Sequence, residues 1–254
     1  MVSKYSVKYK SFSKIIEEQI KNFNSRGEML GNAQRNVIKL FSVDREDLIL
    51  NIKSFKVPNL VNQFAYKYFR KSKARRSFEY AQKLQKLGLG TPDPIAYVEF
   101  PSATLFKKSF YVSEHLEADY TYRDLTHNFE IPHHEDILRA FTRFTFQLHQ
   151  KNVLFLDHSP GNTLIKINNE DYQFYLVDLN RMEFKELSFK ERIKNFERLT
   201  VHKSMVKVMS DEYAKCSGES YDQIFELMWG ETQKFQEKFH KKRQIKKKLK
   251  FWKK

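Results

Sequence analysis

The sequence predicts an α+β fold with two lobes, an N-terminal lobe that mixes strands with a helix and a C-terminal lobe that is mainly helical. Before residue 116, short apolar segments have the length and composition of strands, at 37–43, 47–55 and 109–116. After residue 130, apolar residues recur at helical spacing, at 132–151, 189–208 and 221–229. The chain has 254 residues, 41% of them hydrophobic, so it is long enough to bury a sizeable core.

These segments place the N-terminal lobe at residues 1–112, the C-terminal lobe at 113–235 and a basic tail at 236–254. The single cysteine, Cys216, excludes an intramolecular disulfide framework and favours a cytoplasmic address. The first twelve residues are polar and lack the apolar centre of a signal peptide. No segment approaches the ~20 apolar residues of a membrane span. We therefore expect a cytoplasmic protein.

The stretch with the most chemical content is D-H-S-P-G-N at residues 157–162, which is followed by Asp178. Phosphoryl transfer from ATP needs a carboxylate that accepts the proton of the attacking hydroxyl. It also needs an amide and a second carboxylate that hold Mg²⁺ on the phosphates. Asp157, Asn162 and Asp178 supply these residue types in this order. The pattern therefore predicts an ATP- and Mg²⁺-dependent kinase.

The segment around these residues is predicted to form a short strand followed by a β-hairpin. The three strands fall at residues 152–156, 163–167 and 172–177. Turn-forming residues separate the last two strands, so the hairpin would return Asp178 toward Asn162 and bring both oxygen ligands to one cation. The alternative is a surface loop that carries the pattern by chance, with Asp178 as an ordinary residue at the end of a strand.

At these residues the chain resembles the protein-kinase-like superfamily, whose catalytic loop reads H-R-D-x-x-x-x-N and whose metal-binding loop reads D-F-G. Within it, the chain resembles the bacterial lipopolysaccharide core (Kdo/heptose) kinases over about residues 20–185. The resemblance implies that Asp157 is the catalytic base and that Asn162 and Asp178 hold the metal. It also implies that the acceptor is a sugar hydroxyl of a lipid-linked inner core, reached from the cytoplasmic face of the inner membrane.

The chain departs from the superfamily pattern beside its catalytic residues. Phe155 and Leu156 stand in place of the His and Arg of H-R-D, and Leu179-Asn180 replaces Phe-Gly after Asp178. Without that arginine, nothing in the loop would bind a phosphorylated activation loop. These departures weigh against a protein kinase more than they weigh against catalysis.

A kinase also needs a strand lysine on the phosphates and a helix glutamate that holds this lysine. Lys53 lies near the end of an apolar strand, and Glu79 is the one acid of a helix predicted at residues 72–87. Ser72 suits the N-cap of that helix, and Gly88 suits its C-terminal end. We predict a Lys53–Glu79 ion pair. Both are alternatively ordinary surface charges, and the competitors for the lysine are Lys39 and Lys56.

Two further segments are predicted to contact the nucleotide. A loop containing Gly27 and Gly31, between strand-like residues 15–23 and the strand at 37–43, would lie over the phosphates, with Arg35 as an added contact. A plain β-turn explains the two glycines nearly as well. After the strand at 109–116, backbone groups from Glu114 to Leu116 would form the hinge that faces adenine; the alternative is a simple core strand.

The net charge of +15 predicts an anionic partner. From Lys241 to Lys254 the chain has nine basic residues and no acid, with Ile245, Leu249 and Trp252 at helical spacing. A basic amphipathic helix of this kind suits an anionic membrane surface. The alternatives are a solvated tail and, least favoured, a nucleic-acid contact. A second basic segment, residues 67–76, has six basic residues, and either holds lipid phosphates or is an exposed helix side.

Two rival functions stay open from the sequence. One is a kinase of the same fold that acts on another small molecule or on a protein. The other is a catalytically inactive kinase-like scaffold or a basic nucleic-acid-binding module. The intact set of Asp157, Asn162 and Asp178 argues against an inactive site.

Overall fold

The protein divides into two compact units. The structure, a computed structural model, describes residues 1–31, 36–43, 47–168 and 171–251. For residues 249–251 it describes the backbone alone. The first unit comprises Met1–Glu117 together with Val177–Asn180, and the second comprises Ala118–Leu176 and the chain from Arg181 onward. The sequence divided the lobes after residue 112, whereas the first unit runs to Glu117 and also includes four residues from the middle of the chain.

The first unit is built on an antiparallel sheet of six strands in the order β1-β5-β6-β4-β3-β2. The strands are β1 Val2–Tyr5, β2 Glu28–Met29, β3 Val37–Val43, β4 Leu48–Phe55, β5 Pro94–Pro101 and β6 Phe106–Glu114. Its helices are α1 Ser13–Lys21, α2 Leu60–Tyr68 and α3 Lys73–Lys86. The alternating apolar residues of β4, Leu50 and Ile52, are fully buried in its core. The strands predicted at 37–43, 47–55 and 109–116 are thereby confirmed.

Helix α1 corrects one prediction, because residues 15–23 were expected to form a strand. The buried residues Ile16 and Ile20 are four positions apart, which is the spacing of one helix face, and the helix ends at Lys21, before the buried Phe23. Helix α3 confirms another. The Ser72 side chain accepts a hydrogen bond from the Arg75 amide at 3.0 Å, as an N-cap does.

The C-terminal end of α3 is also as predicted. Gly88 has φ +66°, the left-handed conformation that ends many helices. The apolar face of α3 is fully buried at Ala74, Phe78, Ala81 and Leu84. The N-cap, the buried face and the glycine together fix the bounds of this helix.

The second unit is mainly helical. Its helices are α4 Tyr122–His127, α5 His134–Gln150, α6 Phe189–Lys194, α7 Lys203–Ser217 and α8 Tyr221–Phe251. Its strands are β7 Tyr120–Thr121, β8 Val153–Phe155, β9 Thr163–Asn168, β10 Asp171–Leu176 and β11 Met182–Phe184. Helix α5 buries Ile137, Phe141, Phe144 and Leu148, the stripe expected from their spacing. The predicted hairpin is confirmed, since β9 pairs antiparallel with β10 and Thr163 lies opposite Leu176.

Two helices differ from their predicted bounds. The single helix expected at 189–208 is divided into α6 and α7, because the chain leaves the helix at Asn195 and resumes it at Lys203. Helix α8 is longer than the predicted 221–229 and continues through Phe251, so most of the basic tail is helical. Trp252 of the predicted apolar face lies outside the described residues. Within the described chain, no helix has the length and apolar character needed to cross a membrane.

Candidate active site

The catalytic loop predicted at 157–162 is a tight turn that follows β8 in the second unit. Residues Pro160–Asn162 form one turn of 3₁₀ helix, and the Asn162 amide donates to the Ser159 carbonyl at 3.0 Å. The Asn162 side-chain Nδ2 donates to the Asp157 backbone carbonyl at 2.8 Å. This bond uses the donor of the carboxamide and leaves its oxygen to act as a ligand. The loop is therefore closed by its two predicted functional residues.

The Asp157 carboxylate is held by two arginines that the sequence reasoning missed. Arg181 Nη1 donates to Asp157 Oδ1 at 2.9 Å, and Arg198 Nη1 makes a longer contact of 3.5 Å with the same oxygen. Both contacts are to Oδ1, so among the described residues Oδ2 is the oxygen left to accept a proton. Arg181 directly precedes β11, which pairs with β8, and this pairing positions its side chain. No sequence signal pointed to Arg198, because it lies 41 residues from Asp157.

In the first unit, Lys53 and Asp178 form an ion pair. Lys53 Nζ lies 2.5 Å from Asp178 Oδ1, and the Asn180 side chain donates to the same oxygen at 2.7 Å. The lysine side chain is 13% exposed, so the pair is partly withdrawn from water and its attraction exceeds that of a surface pair. The lysine predicted for the phosphates and a carboxylate predicted for the metal are thus brought together.

Asp178 has a left-handed backbone, with φ +59°. Outside glycine this conformation is uncommon and is tolerated best by Asn and Asp. The following residue, Leu179, is buried at the position of the phenylalanine in D-F-G. The left-handed backbone therefore limits which residues fit at position 178, independently of any chemical role of the carboxylate.

The predicted Lys53–Glu79 ion pair was wrong in this structure. Glu79 accepts from Lys71 Nζ at 2.7 Å and from Arg75 Nε at 2.9 Å. These donors lie eight and four residues before Glu79, so local contacts hold its carboxylate, and Lys53 pairs with Asp178 instead. The pairing with Lys71 and Arg75 lowers the pKa of Glu79, against an opposing effect of burial that is the largest single influence on it.

The two predicted phosphate-loop glycines have different surroundings. Gly27 has φ +84°, and a Cβ built there would lie 2.5 Å from the buried ring of Phe41. Gly31 has φ +73°, and no atom of the described residues lies within 4 Å of a Cβ built there. Close packing therefore explains Gly27, whereas no described residue packs against Gly31, which lies in the connection from β2 to β3. Arg35 lies outside the described residues.

This contrast gives a stability prediction. Gly27→Ala should lower the free energy of unfolding by about 3 kcal/mol, because it adds a clash with Phe41 to the cost of a left-handed alanine. Gly31→Ala should lose only about 1 kcal/mol, from the backbone alone. Denaturant unfolding of both variants measures the difference. Equal losses would show that Phe41 moves aside without cost.

The predicted hinge begins where β6 ends. The Glu114 amide donates to the Asp93 carbonyl at 2.9 Å, and the His115 amide donates to the Ile49 carbonyl at 2.7 Å. The Glu114 side chain accepts from the Tyr9 hydroxyl at 2.7 Å. Leu116 is the first residue beyond these bonds, so its amide is the better candidate for an adenine contact than that of Glu114.

A buried hydrogen-bonded chain supports the strand that leads to Asp157. The Tyr213 hydroxyl lies 3.0 Å from His149 Nδ1, and His149 Nε2 lies 3.3 Å from the Asn195 side-chain oxygen. The Asn195 side-chain Nδ2 in turn donates to the Phe155 carbonyl of β8 at 2.8 Å. The arrangement fits a neutral His149 with its proton on Nε2. Burial lowers the pKa of His149 to about 4.

His158, next to Asp157, is fully enclosed by Phe141, Phe155 and Phe196. Burial lowers the pKa of His158 to about 3, which contacts with Asn195 only partly offset. Neither ring nitrogen has a hydrogen-bond partner of good geometry among the described residues. This histidine therefore stays uncharged and acts as a packing residue beneath the loop.

The two histidines predict an acid-sensitive fold. In the unfolded chain they take up protons below pH 6.5, while in the folded chain they do so only near pH 4 and 3. Above pH 6.5 the two histidines therefore do not change the free energy of unfolding. As the pH falls below 6.5, that free energy decreases by about 1.4 kcal/mol per pH unit for each histidine. Urea unfolding from pH 7 to pH 5 measures this slope. His158→Leu should remove the contribution of one histidine from this slope. An unchanged slope would contradict the lowered pKa of His158.

The chain is similar in sequence to a protein family and in fold to a solved structure. The sequence pattern of the Lipopolysaccharide kinase (Kdo/WaaP) family matches residues 21–217. A solved structure described as WaaP in complex with acyl carrier protein superposes with a TM-score of 0.64 at 15% identity, over 95% of this chain and 99% of that chain. At that identity the likeness shows the fold alone. No curated protein matches the chain by sequence.

These matches confirm the predicted protein-kinase-like fold and the predicted kinase activity. The family match covers well over half of the chain and includes every residue of the predicted site. The enzyme is a phosphotransferase, and the chain belongs to the lipopolysaccharide kinase (Kdo/WaaP) family.

Proposed function

We propose that the enzyme transfers the γ-phosphoryl group of ATP to a sugar hydroxyl of the lipopolysaccharide inner core, with Mg²⁺ as cofactor. The observation that carries the reaction type is the Lys53–Asp178 pair, which joins the two residues expected to hold phosphates and metal. Family membership implies ATP as the donor and a core sugar, Kdo or heptose, as the acceptor.

Asp157 is the proposed catalytic base. The acceptor oxygen forms a bond to the γ-phosphorus, the bond from that phosphorus to the bridging oxygen breaks, and ADP leaves. The proton of the acceptor hydroxyl passes to Asp157 Oδ2, because Arg181 and Arg198 both engage Oδ1. The two guanidinium groups thus fix the carboxylate in one orientation, which is the positioning that phosphoryl transfer depends on.

Asn162 and Asp178 are the proposed metal ligands. A carboxamide oxygen and a carboxylate are hard donors, and Mg²⁺ is usually held by one or two such side chains together with phosphates and water. The described residues contain no group of three His, Cys, Asp or Glu side chains that could hold a metal ion alone, so the nucleotide would complete the coordination. In the hairpin, Thr163 directly follows Asn162 and pairs with Leu176, which lies two residues before Asp178. This pairing supports the assignment. Bound Mg²⁺ would neutralise charge on the phosphates.

Lys53 is the proposed phosphate ligand, with the loop at Gly31 and the Leu116 amide as further nucleotide contacts. When the phosphates and Mg²⁺ bind, Lys53 and Asp178 would exchange each other for these partners. Their ion pair therefore keeps both side chains in place before the nucleotide arrives, at little cost in reorganisation. Glu79 has no part in this assignment because Lys71 and Arg75 hold it.

The proposed place of action is the cytoplasmic face of the inner membrane, where a lipid-linked acceptor would be available. The basic end of α8 and the residues after it, from Lys241 to Lys254, supply nine cations for anionic lipid headgroups. Ile245 is exposed on this part of the helix, as a membrane-facing apolar residue would be. Nothing in this assignment requires nucleic acid.

The experiment that tests the proposal is an acceptor comparison with labelled ATP and Mg²⁺. We expect label transfer to lipid-linked core containing Kdo and heptose, and no transfer to a generic protein substrate such as casein. Core from which the phosphorylated sugar is absent is the matched control. Transfer to casein, or no transfer to core in a protein that binds ATP, would overturn the proposed acceptor.

A further inference from the structure

Helix α2 of the first unit presents an apolar face to solvent. Phe64 and Tyr68 are 52% and 53% exposed, and Leu60, Val61 and the following Phe69 are 68%, 79% and 78% exposed. At 100° per residue, the four helical residues fall within about 100° of the circumference, so they form one face rather than scattered positions. The rings of Phe64, Tyr68 and Phe69 contact one another at centroid distances from 4.8 to 6.5 Å.

The opposite side of α2 anchors the helix to the unit. The Tyr66 ring packs on Phe106 of β6 with centroids 5.9 Å apart, and Gln63 is buried and donates to the Pro58 carbonyl at 2.8 Å. The Asn59 side chain caps the first turn, accepting from the Asn62 amide at 3.0 Å. These contacts fix the helix in place, and its apolar face takes no part in them. That face has no partner among the described residues.

The chain segment that carries this face has charges of one sign. Residues 57–78 contain six basic residues and no acid. Arg70 is exposed directly after Phe69, and Lys73 is half-buried at the start of α3. Glu79, the next acid along the chain, pairs with Lys71 and Arg75 and so neutralises only part of this charge. An apolar face with aromatic rings and adjacent cations complements a surface that is apolar inside and anionic outside.

We propose that the surface formed by residues 60–70 docks onto an anionic lipid membrane. The rings of Phe64, Tyr68 and Phe69 enter the boundary between headgroups and acyl chains, while Arg70 and its basic neighbours contact lipid phosphates. The basic tail from Lys241 would be attracted to the same lipids, and stable membrane anchoring commonly requires two such signals. This contact goes beyond the proposed reaction, and it is measured without nucleotide or acceptor.

Insertion is tested with full-length protein and vesicles of anionic phosphatidylglycerol whose acyl chains carry bromine. Bromine quenches tryptophan only at short range, so Phe64→Trp should lose fluorescence beyond the loss shown by the wild-type tryptophans, Trp229 and Trp252. Phe129→Trp is the matched control, because Phe129 is 46% exposed on the second unit and has no such basic segment beside it. Equal quenching of the two variants would overturn the proposal.

Affinity is tested by co-sedimentation with the same anionic vesicles and with neutral phosphatidylcholine vesicles. The variant Leu60→Ser/Phe64→Ser/Phe69→Ser should bind anionic vesicles about tenfold more weakly or worse, whereas Phe129→Ser/Val201→Ser should bind like wild type. A chain that ends at His240 separates the contribution of the tail. Unchanged binding by the triple variant overturns the proposal. So does preferential binding of this face to an acidic protein, with no binding to vesicles.

Discussion

Asp157→Asn is expected to lower kcat by about 10²–10⁴-fold, the range that a positioned general base contributes. Asparagine keeps the shape of the side chain but cannot take the proton of the acceptor hydroxyl. ATP binding should be retained, because no nucleotide contact is assigned to Asp157. Single-turnover transfer of labelled phosphate to the core acceptor, together with ATP titration, measures both quantities.

The matched control for this experiment is Asp171→Asn, which removes an exposed carboxylate from the hairpin at β10. Its activity should equal that of wild type. Activity of Asp157→Asn within threefold of wild type would contradict the assignment of the base. Arg181→Lys should lie between the two, because lysine keeps the charge beside Oδ1 but not the geometry of the guanidinium group.

Asp178→Asn is expected to abolish the Mg²⁺-dependent stabilisation by ATP and to lower phosphoryl transfer by roughly 10²–10³-fold. In wild type, ATP at 100 times its Kd should stabilise the folded state by about 2.7 kcal/mol. The variant loses the carboxylate charge that pairs with Lys53 and that is proposed to hold the metal. Thermal unfolding with ATP and Mg²⁺, compared with ATP and a chelator, measures the loss.

Asparagine is the informative substitution because φ is +59° at this position. Alanine there would add about 1–2 kcal/mol of backbone strain, so that a loss of fold would be confused with a loss of metal. Without nucleotide, the variant should lose only the stabilisation contributed by the Lys53–Asp178 ion pair, with no added backbone strain, which checks this point. A variant that still shows the Mg²⁺-dependent rise in midpoint would remove Asp178 from the proposed metal site.

Elements specified by local signals were predicted well. Helix α3 has an N-cap, a buried stripe and a terminal glycine, all within seventeen residues of sequence, and the hairpin β9–β10 has alternating strands around turn residues. Helix α1 was mistaken for a strand because its isoleucines are β-branched, although Ile16 and Ile20 have helical spacing. In this segment, the helical spacing of the isoleucines was a better guide to secondary structure than their β-branched side chains. The break between α6 and α7 has neither proline nor glycine to mark it.

The site was predictable in its residue types but not in its pairings. Whether Lys53 meets Glu79 or Asp178 depends on where distant segments lie, and sequence spacing says nothing of that. Local competition was visible in principle, because Arg75 lies four residues before Glu79 on the same helix. Arg198 contacts Asp157 through tertiary structure alone. Spacing therefore predicts which residues form the candidate site, whereas the fold determines which side chains they pair with.

The segment Val177–Asn180 belongs to the first unit although the chain on either side of it belongs to the second. During synthesis, the first 117 residues emerge without the carboxylate that pairs with Lys53. Domains generally fold as units from the N-terminus, but this unit is incomplete until Asn180 has left the ribosome. By then both β8 and the hairpin of the second unit have been made. The first unit thus matures late in translation, and a nascent chain stopped before Asp178 would hold a partly buried, unpaired lysine.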